Sequence, residues 1–68
     1  MSWSKEELLA TIELRSNEVF LKNSDGGGRS VNTTYQPVKA TWEGDKLRVV
    51  CSNGKIKMFS DYRTFEEL

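Results

Sequence analysis

Two tight-turn signals, Gly44-Asp45 and Asn53-Gly54, constrain this chain more than anything else in it. Gly44-Asp45 fits a two-residue turn with glycine first. Asn53-Gly54 fits the two-residue turn whose central residues are both left-handed. Folding back on the first pairs Trp42 with Leu47, Ala40 with Val49 and Val38 with Cys51. Folding back on the second pairs Cys51 with Ile56 and Val49 with Met58. Both choices lay these apolar side chains on one face, and agreement between independent turns is what a true register gives. The pattern predicts strands near 38–42, 47–51 and 55–59, an antiparallel meander over 38–59.

The first half gives weaker signals. Ser4 and Glu7 have the spacing of a capping box, and Trp3 and Leu8 sit where a hydrophobic staple would form. Glu6 and Glu7 suit the positive end of a helix. Leu8, Leu9 and Ile12 share a helical face but Leu14 does not, so the helix is short, about two turns from Lys5. From Thr11 the apolar period becomes two. Folding 11–15 onto 18–22 around Ser16-Asn17 sets Leu14 opposite Val19, Ile12 opposite Leu21 and Arg15 opposite Glu18. A helix running on to Arg15 is the alternative. Residues 23–30, with three consecutive glycines, read as a flexible connector that lacks the spacing of a phosphate-binding loop. Residues 31–36 read as extended, closed by Pro37, which marks an edge, a bulge or a strand start. Ser60 or Asp61 could cap a last helical turn carrying Tyr62, Phe65 and Leu68 at spacing three. No internal repeat stands out.

With 68 residues the chain is one small domain, 1–68. A chain of this size buries only about 60% of its unfolded surface, so a partner or a second copy would add stability, and a homo-oligomer fits. The predicted fold is small α+β: a short N-terminal helix, an antiparallel sheet of four to five strands and a short C-terminal helical turn. A small, partly open β-barrel is the alternative.

The chemical inventory points away from catalysis. There is no histidine, hence no ordinary proton shuttle and no imidazole ligand. The single cysteine, Cys51, can form neither an internal disulfide nor a cysteine metal site, and it falls on the apolar face of the meander. Glu43, Asp45, Glu66 and Glu67 flank a turn or lie at the end of the chain, where acids are solvated. No cofactor, no metal and no enzymatic activity are expected. Neither a signal-peptide pattern nor a membrane-length apolar run is present, so Asn32-Thr33-Thr34 is a coincidental glycosylation match and a reducing cytoplasm is the expected compartment.

Lys+Arg and Asp+Glu both number 10, yet alternation places Lys39, Thr41, Arg48, Val50, Lys57 and Phe59 together on the outer face of the meander. That face would hold three cations and no acid. Its plainest reading is a solvated sheet surface with Arg48 stacked on Phe59. Its functional reading is a partner-binding surface of Lys39, Arg48, Val50, Lys57 and Phe59. The expected function is that of a non-enzymatic accessory or regulatory domain that binds another protein, with Val50 and Phe59 as apolar anchors. The alternative is a nucleic-acid-binding module, with the cations on phosphates and Phe59 under a base.

Overall fold

Ser4 starts the helix as its spacing requires. Its hydroxyl accepts from the Glu7 amide at 3.2 Å, and Glu7 Oε1 accepts from the Ser4 amide at 2.9 Å. The computed structural model describes residues 3–68, and in it this helix, α1 (Lys5–Leu8), is a single turn rather than two. Trp3, just ahead of the helix, is buried in the core.

Seven strands follow among the described residues: β1 (Thr11–Leu14), β2 (Glu18–Lys22), β3 (Gly28–Asn32), β4 (Pro37–Glu43), β5 (Lys46–Cys51), β6 (Ile56–Phe59) and β7 (Phe65–Glu67). They form not one sheet of four to five strands but two antiparallel sheets, β1-β2-β3 and β4-β5-β6-β7, and neither closes into a barrel. The predicted C-terminal helical turn is a strand. Asp61 Oδ1 accepts from the Arg63 and Thr64 amides, and this turn sends β7 back along β6.

The β1–β2 register is the predicted one, with Leu14 opposite Val19 and Ile12 opposite Leu21. So is most of β4–β5, with Trp42 opposite Leu47 and Ala40 opposite Val49. A bulge between Pro37 and Lys39 extrudes Val38, and Pro37 takes its place opposite Cys51. Proline lacks the ladder donor, and it starts an edge strand where none is needed.

The β5–β6 register differs by one residue: Val49 faces Lys57, and Val50 faces Ile56. The loop is the cause. Gly54 N–H donates to Cys51 O at 3.0 Å and Cys51 N–H donates to Lys55 O at 2.8 Å, with Gly54 at φ +86. This is a three-residue loop with a left-handed glycine, not a two-residue turn. One extra loop residue sends every side chain of β6 to the opposite face.

The same loop closes β2–β3. Gly26 N–H donates to Asn23 O at 3.1 Å and Asn23 N–H to Gly27 O at 2.7 Å, with Gly26 at φ +92. Even the side-chain contacts match: Asp25 Oδ1 accepts from Gly27, as Asn53 Oδ1 accepts from Lys55. Strand β3 therefore begins at Gly28, inside the stretch expected to be loop. Meander β1-β2-β3 thus recurs as β4-β5-β6 with the same loop lengths, registers and second turn, displaced by the 28 residues that separate Ile12 from Ala40 and Gly26 from Gly54; the first turns differ, since Gly44 is left-handed at φ +60 and its counterpart Ser16 is not. The chain contains an internal repeat after all.

The two meanders share one core. Val19, Leu21 and Val31 come from the first, Leu47, Val49, Cys51 and Phe59 from the second, and Trp3 closes one end. Burying each large side chain contributes about 1.5–3 kcal/mol. Trp3 also donates its indole N–H to Phe59 O at 2.9 Å.

Candidate functional site

The outer face of the β4–β7 sheet carries three cross-strand rows. Glu43 and Lys46 form one, Thr41, Arg48, Met58 and Glu66 the next, and Lys39, Val50 and Ile56 the third, with Leu68 bonded beside Ile56 through its amide. Val50, Ile56 and Met58 are half-buried at the centre, while Val38 is 53% and Leu68 69% exposed. Arg48 Nε lies 3.2 Å from Glu43 Oε2, so this cation is partly compensated within the protein. Exposed pairs of this kind contribute little stability, but they do reduce the positive field of the face.

Of the five residues expected on this surface, Lys39, Arg48 and Val50 are there. Lys57 and Phe59 are not: the register shift turns them inward, to 3% and 1% exposure. Ile56 and Met58 take their places, so the face is more apolar and less basic than alternation alone implies. The available clue was Ser52 ahead of Asn53-Gly54, the Ser-(Asp/Asn)-Gly triplet that the chain also carries at Ser24-Asp25-Gly26.

Phe59 packs on Phe65 with ring centroids 5.0 Å apart. Lys57 is a buried ammonium with no carboxylate within ion-pair distance among the described residues. Its Nζ donates to Thr34 Oγ1 at 3.4 Å and lies 4.4 Å from the centroid of Phe65 and 5.2 Å from that of Tyr35. Aromatic faces stabilise a desolvated cation by about 2 kcal/mol, which offsets part of the cost of burying it. Thr34 belongs to a strained segment. Tyr35 N–H donates to Thr33 O at 2.6 Å across a three-residue turn, with Thr34 at φ +66. A β-branched residue rarely adopts this conformation. The buried Thr33 hydroxyl donates to Tyr35 O at 2.7 Å and locks the turn. Lys57 thus pins the link between the meanders.

Arg29 occupies in the first meander the place that Lys57 holds in the second. It lies 4.7 Å from the centroid of Tyr62, at the edge of an open cleft of about 610 Å³ lined also by Trp3, Ser4, Glu6, Glu7, Asn23, Gly28 and Asp61. Cys51 is buried, and burial raises its thiol pKa above the ordinary 9.0; the charge on Lys57 opposes this only in part. Its setting is that of a core side chain rather than a nucleophile. Among the described residues no group of three or more His, Cys, Asp or Glu is placed to hold a metal ion, and no helix is long and apolar enough to cross a membrane. Compared with known proteins, the chain matches no family, no curated sequence and no solved structure.

Proposed function

We propose that this chain is a non-enzymatic cytoplasmic accessory or regulatory module that binds another protein through the outer face of the β4–β7 sheet. The observation that carries this reading is the apolar centre of that face, Val50, Ile56 and Met58, with Val38 and Leu68 exposed. An apolar centre with polar groups at its margin, here Lys39 and the Arg48–Glu43 pair, is the ordinary anatomy of a protein interface. Nucleic acid fits less well. The expected stacking ring, Phe59, is in the core, and the cations of the face, Lys39, Lys46 and the partly compensated Arg48, stand among the acids Glu43 and Glu66. Backbone-phosphate binding needs several free cations.

Affinity capture from extracts of the source cell, followed by titration of the purified partner, tests the proposal. The expected result is a partner retained after nuclease treatment and at moderate salt, with binding weakened by Ile56→Lys and by Met58→Asp. Binding that needs intact nucleic acid and falls steeply with salt would replace it with the nucleic-acid alternative. Concentration-dependent sedimentation lost in the same two variants would make a second copy the partner.

A further inference from the structure

β3 and β6 are equivalent strands of the repeated meander, yet among the described residues only β6 has a second neighbour. Hydrogen-bond parity fixes what β3 offers on its free side. Asn23 N–H donates to Gly27 O, and Thr33 N–H donates to Asn17 O. The residues in step with these, Arg29 and Val31, therefore turn their backbone groups toward β2. Gly28, Ser30 and Asn32 turn theirs outward, and all three are exposed. Their counterparts on β6 are Ile56, Met58 and the adjoining Ser60, the residues that serve β7. Leu68 N–H donates to Ile56 O at 2.8 Å, Ser60 N–H donates to Thr64 O at 2.9 Å, and Met58 lies opposite Glu66. The first meander thus presents, unpaired among the described residues, the row of groups that the second meander uses to hold its fourth strand.

We propose that the free edge of β3 accepts an extended peptide segment of a partner protein as a fourth antiparallel strand, and that this segment carries an apolar side chain followed two residues later by a carboxylate. The positions of the two side chains follow from the half of the molecule that is already complete, and the charge of the second from Arg29. β7 packs Phe65 on Phe59 and places Glu67 in register with Lys57, although the two do not form an ion pair. The counterparts of Phe59 and Lys57 are Val31, which is fully buried, and Arg29, which is exposed with no carboxylate within ion-pair distance among the described residues. An added strand with the same pattern would extend the apolar layer beside the already buried Val31 and bring a carboxylate to the exposed Arg29, while its backbone satisfies Gly28, Ser30 and Asn32. Strand addition to an open edge draws affinity from the backbone and specificity from alternate side chains. This edge lies on the other sheet from the outer face proposed above, so each can fail without the other.

The probe is a synthetic peptide with the sequence of residues 60–68, which carries the pattern as Phe65-Glu66-Glu67. It is titrated into isotope-labelled full-length protein. The expected result is chemical-shift change and slowed amide exchange at Gly28, Ser30 and Asn32. Affinity should fall about tenfold with Arg29→Glu, a surface change that leaves the fold intact. A peptide with proline in place of Glu66 should not bind, since it lacks a ladder donor. No shift at millimolar peptide overturns the proposal. So do shifts at Ile56 and Met58, which would mean that the peptide displaces β7, and equal binding of the proline peptide. Self-association of the unliganded protein that Arg29→Glu abolishes would overturn the choice of occupant in favour of a second copy.

Discussion

Trp3 and Trp42 meet edge to face, with centroids 5.4 Å apart and planes 81° apart, and among the described residues only one of their two indole N–H groups has a partner. Trp3 donates to Phe59 O, whereas the Trp42 Nε1 is buried with none. An unpaired buried donor costs about 1–3 kcal/mol, and a satisfied one contributes about 0.5–1.5 kcal/mol. Trp3→Phe and Trp42→Phe remove the same volume, so the difference between them reports the N–H. Trp3→Phe is expected to be the more destabilising by about 1–3 kcal/mol in urea unfolding. Equal losses would mean that the two donors are equivalent in the folded protein.

Lys57 distinguishes an inward from an outward β6. Lys57→Met keeps the stem and removes the buried charge, so it is expected to leave stability within about 1 kcal/mol of the original or raise it. Lys57→Glu puts an unpaired anion among Phe65, Tyr35 and Thr34 and is expected to cost more than about 3 kcal/mol. Small, similar effects for both variants in thermal unfolding would place this side chain in solvent.

The glycine-rich stretch contains one position that needs glycine for space. A Cβ on Gly28 would run into the Leu21 carbonyl oxygen across the ladder, which cannot move independently of the sheet. A Cβ on Gly27 meets only the end of the Asp25 side chain, at 3.3 Å. Gly28→Ala is therefore expected to cost about 1–3 kcal/mol and Gly27→Ala almost nothing. Gly54→Ala, at φ +86, should cost about 1 kcal/mol through backbone strain alone. Denaturation midpoints of the three variants check the ranking.

Cys51 gives a pH dependence. Burial raises the folded-state pKa, so the folded thiol stays protonated where the unfolded thiol ionises. Its contribution to stability is intact below the ordinary 9.0 and is lost as pH rises through the folded value. Unfolding free energy should fall above about pH 9, and Cys51→Ala should flatten that slope. Thiol-reactive dyes should label the native protein only at the rate of its unfolding; rapid labelling at neutral pH would show an accessible thiol.

Local pattern was enough to read the β1–β2 hairpin and the β4–β5 pairing, because Leu14, Val19, Ala40 and Val49 alternate cleanly around two-residue turns. It failed at β6 because Asn53-Gly54 belongs equally to a two-residue and a three-residue loop, and the choice depends on packing that reaches β6 from another element. Phe59 is held in the core by Trp3, from the far end of the sequence. The inward Lys57 was illegible for the same reason, reinforced by the usual habit of lysine to lie in solvent. Phe65 and Leu68 suggested a helical face, but the edge of β6 offered a ladder instead. The repeat was hidden because its halves share loop lengths and registers far more than residue types; Ser24/Ser52 and Gly26/Gly54 are its visible trace. Of the candidate surface, Lys39, Arg48 and Val50 were legible, and the apolar centre was not.

Every hydrogen-bonded ladder in both sheets joins strands that are consecutive in the sequence. Each can zip from its own turn with little loop-closure entropy, so the meanders form on local information. What is non-local is the mating of their inner faces and the clasp of Trp3 on Phe59, which ties together segments 56 residues apart. The slow event in folding is therefore the docking of two nearly finished halves, each shorter than the roughly 40 residues below which a chain rarely folds unaided. Substitutions in the tight turns should slow folding, and loss of the Trp3 clasp should chiefly hasten unfolding.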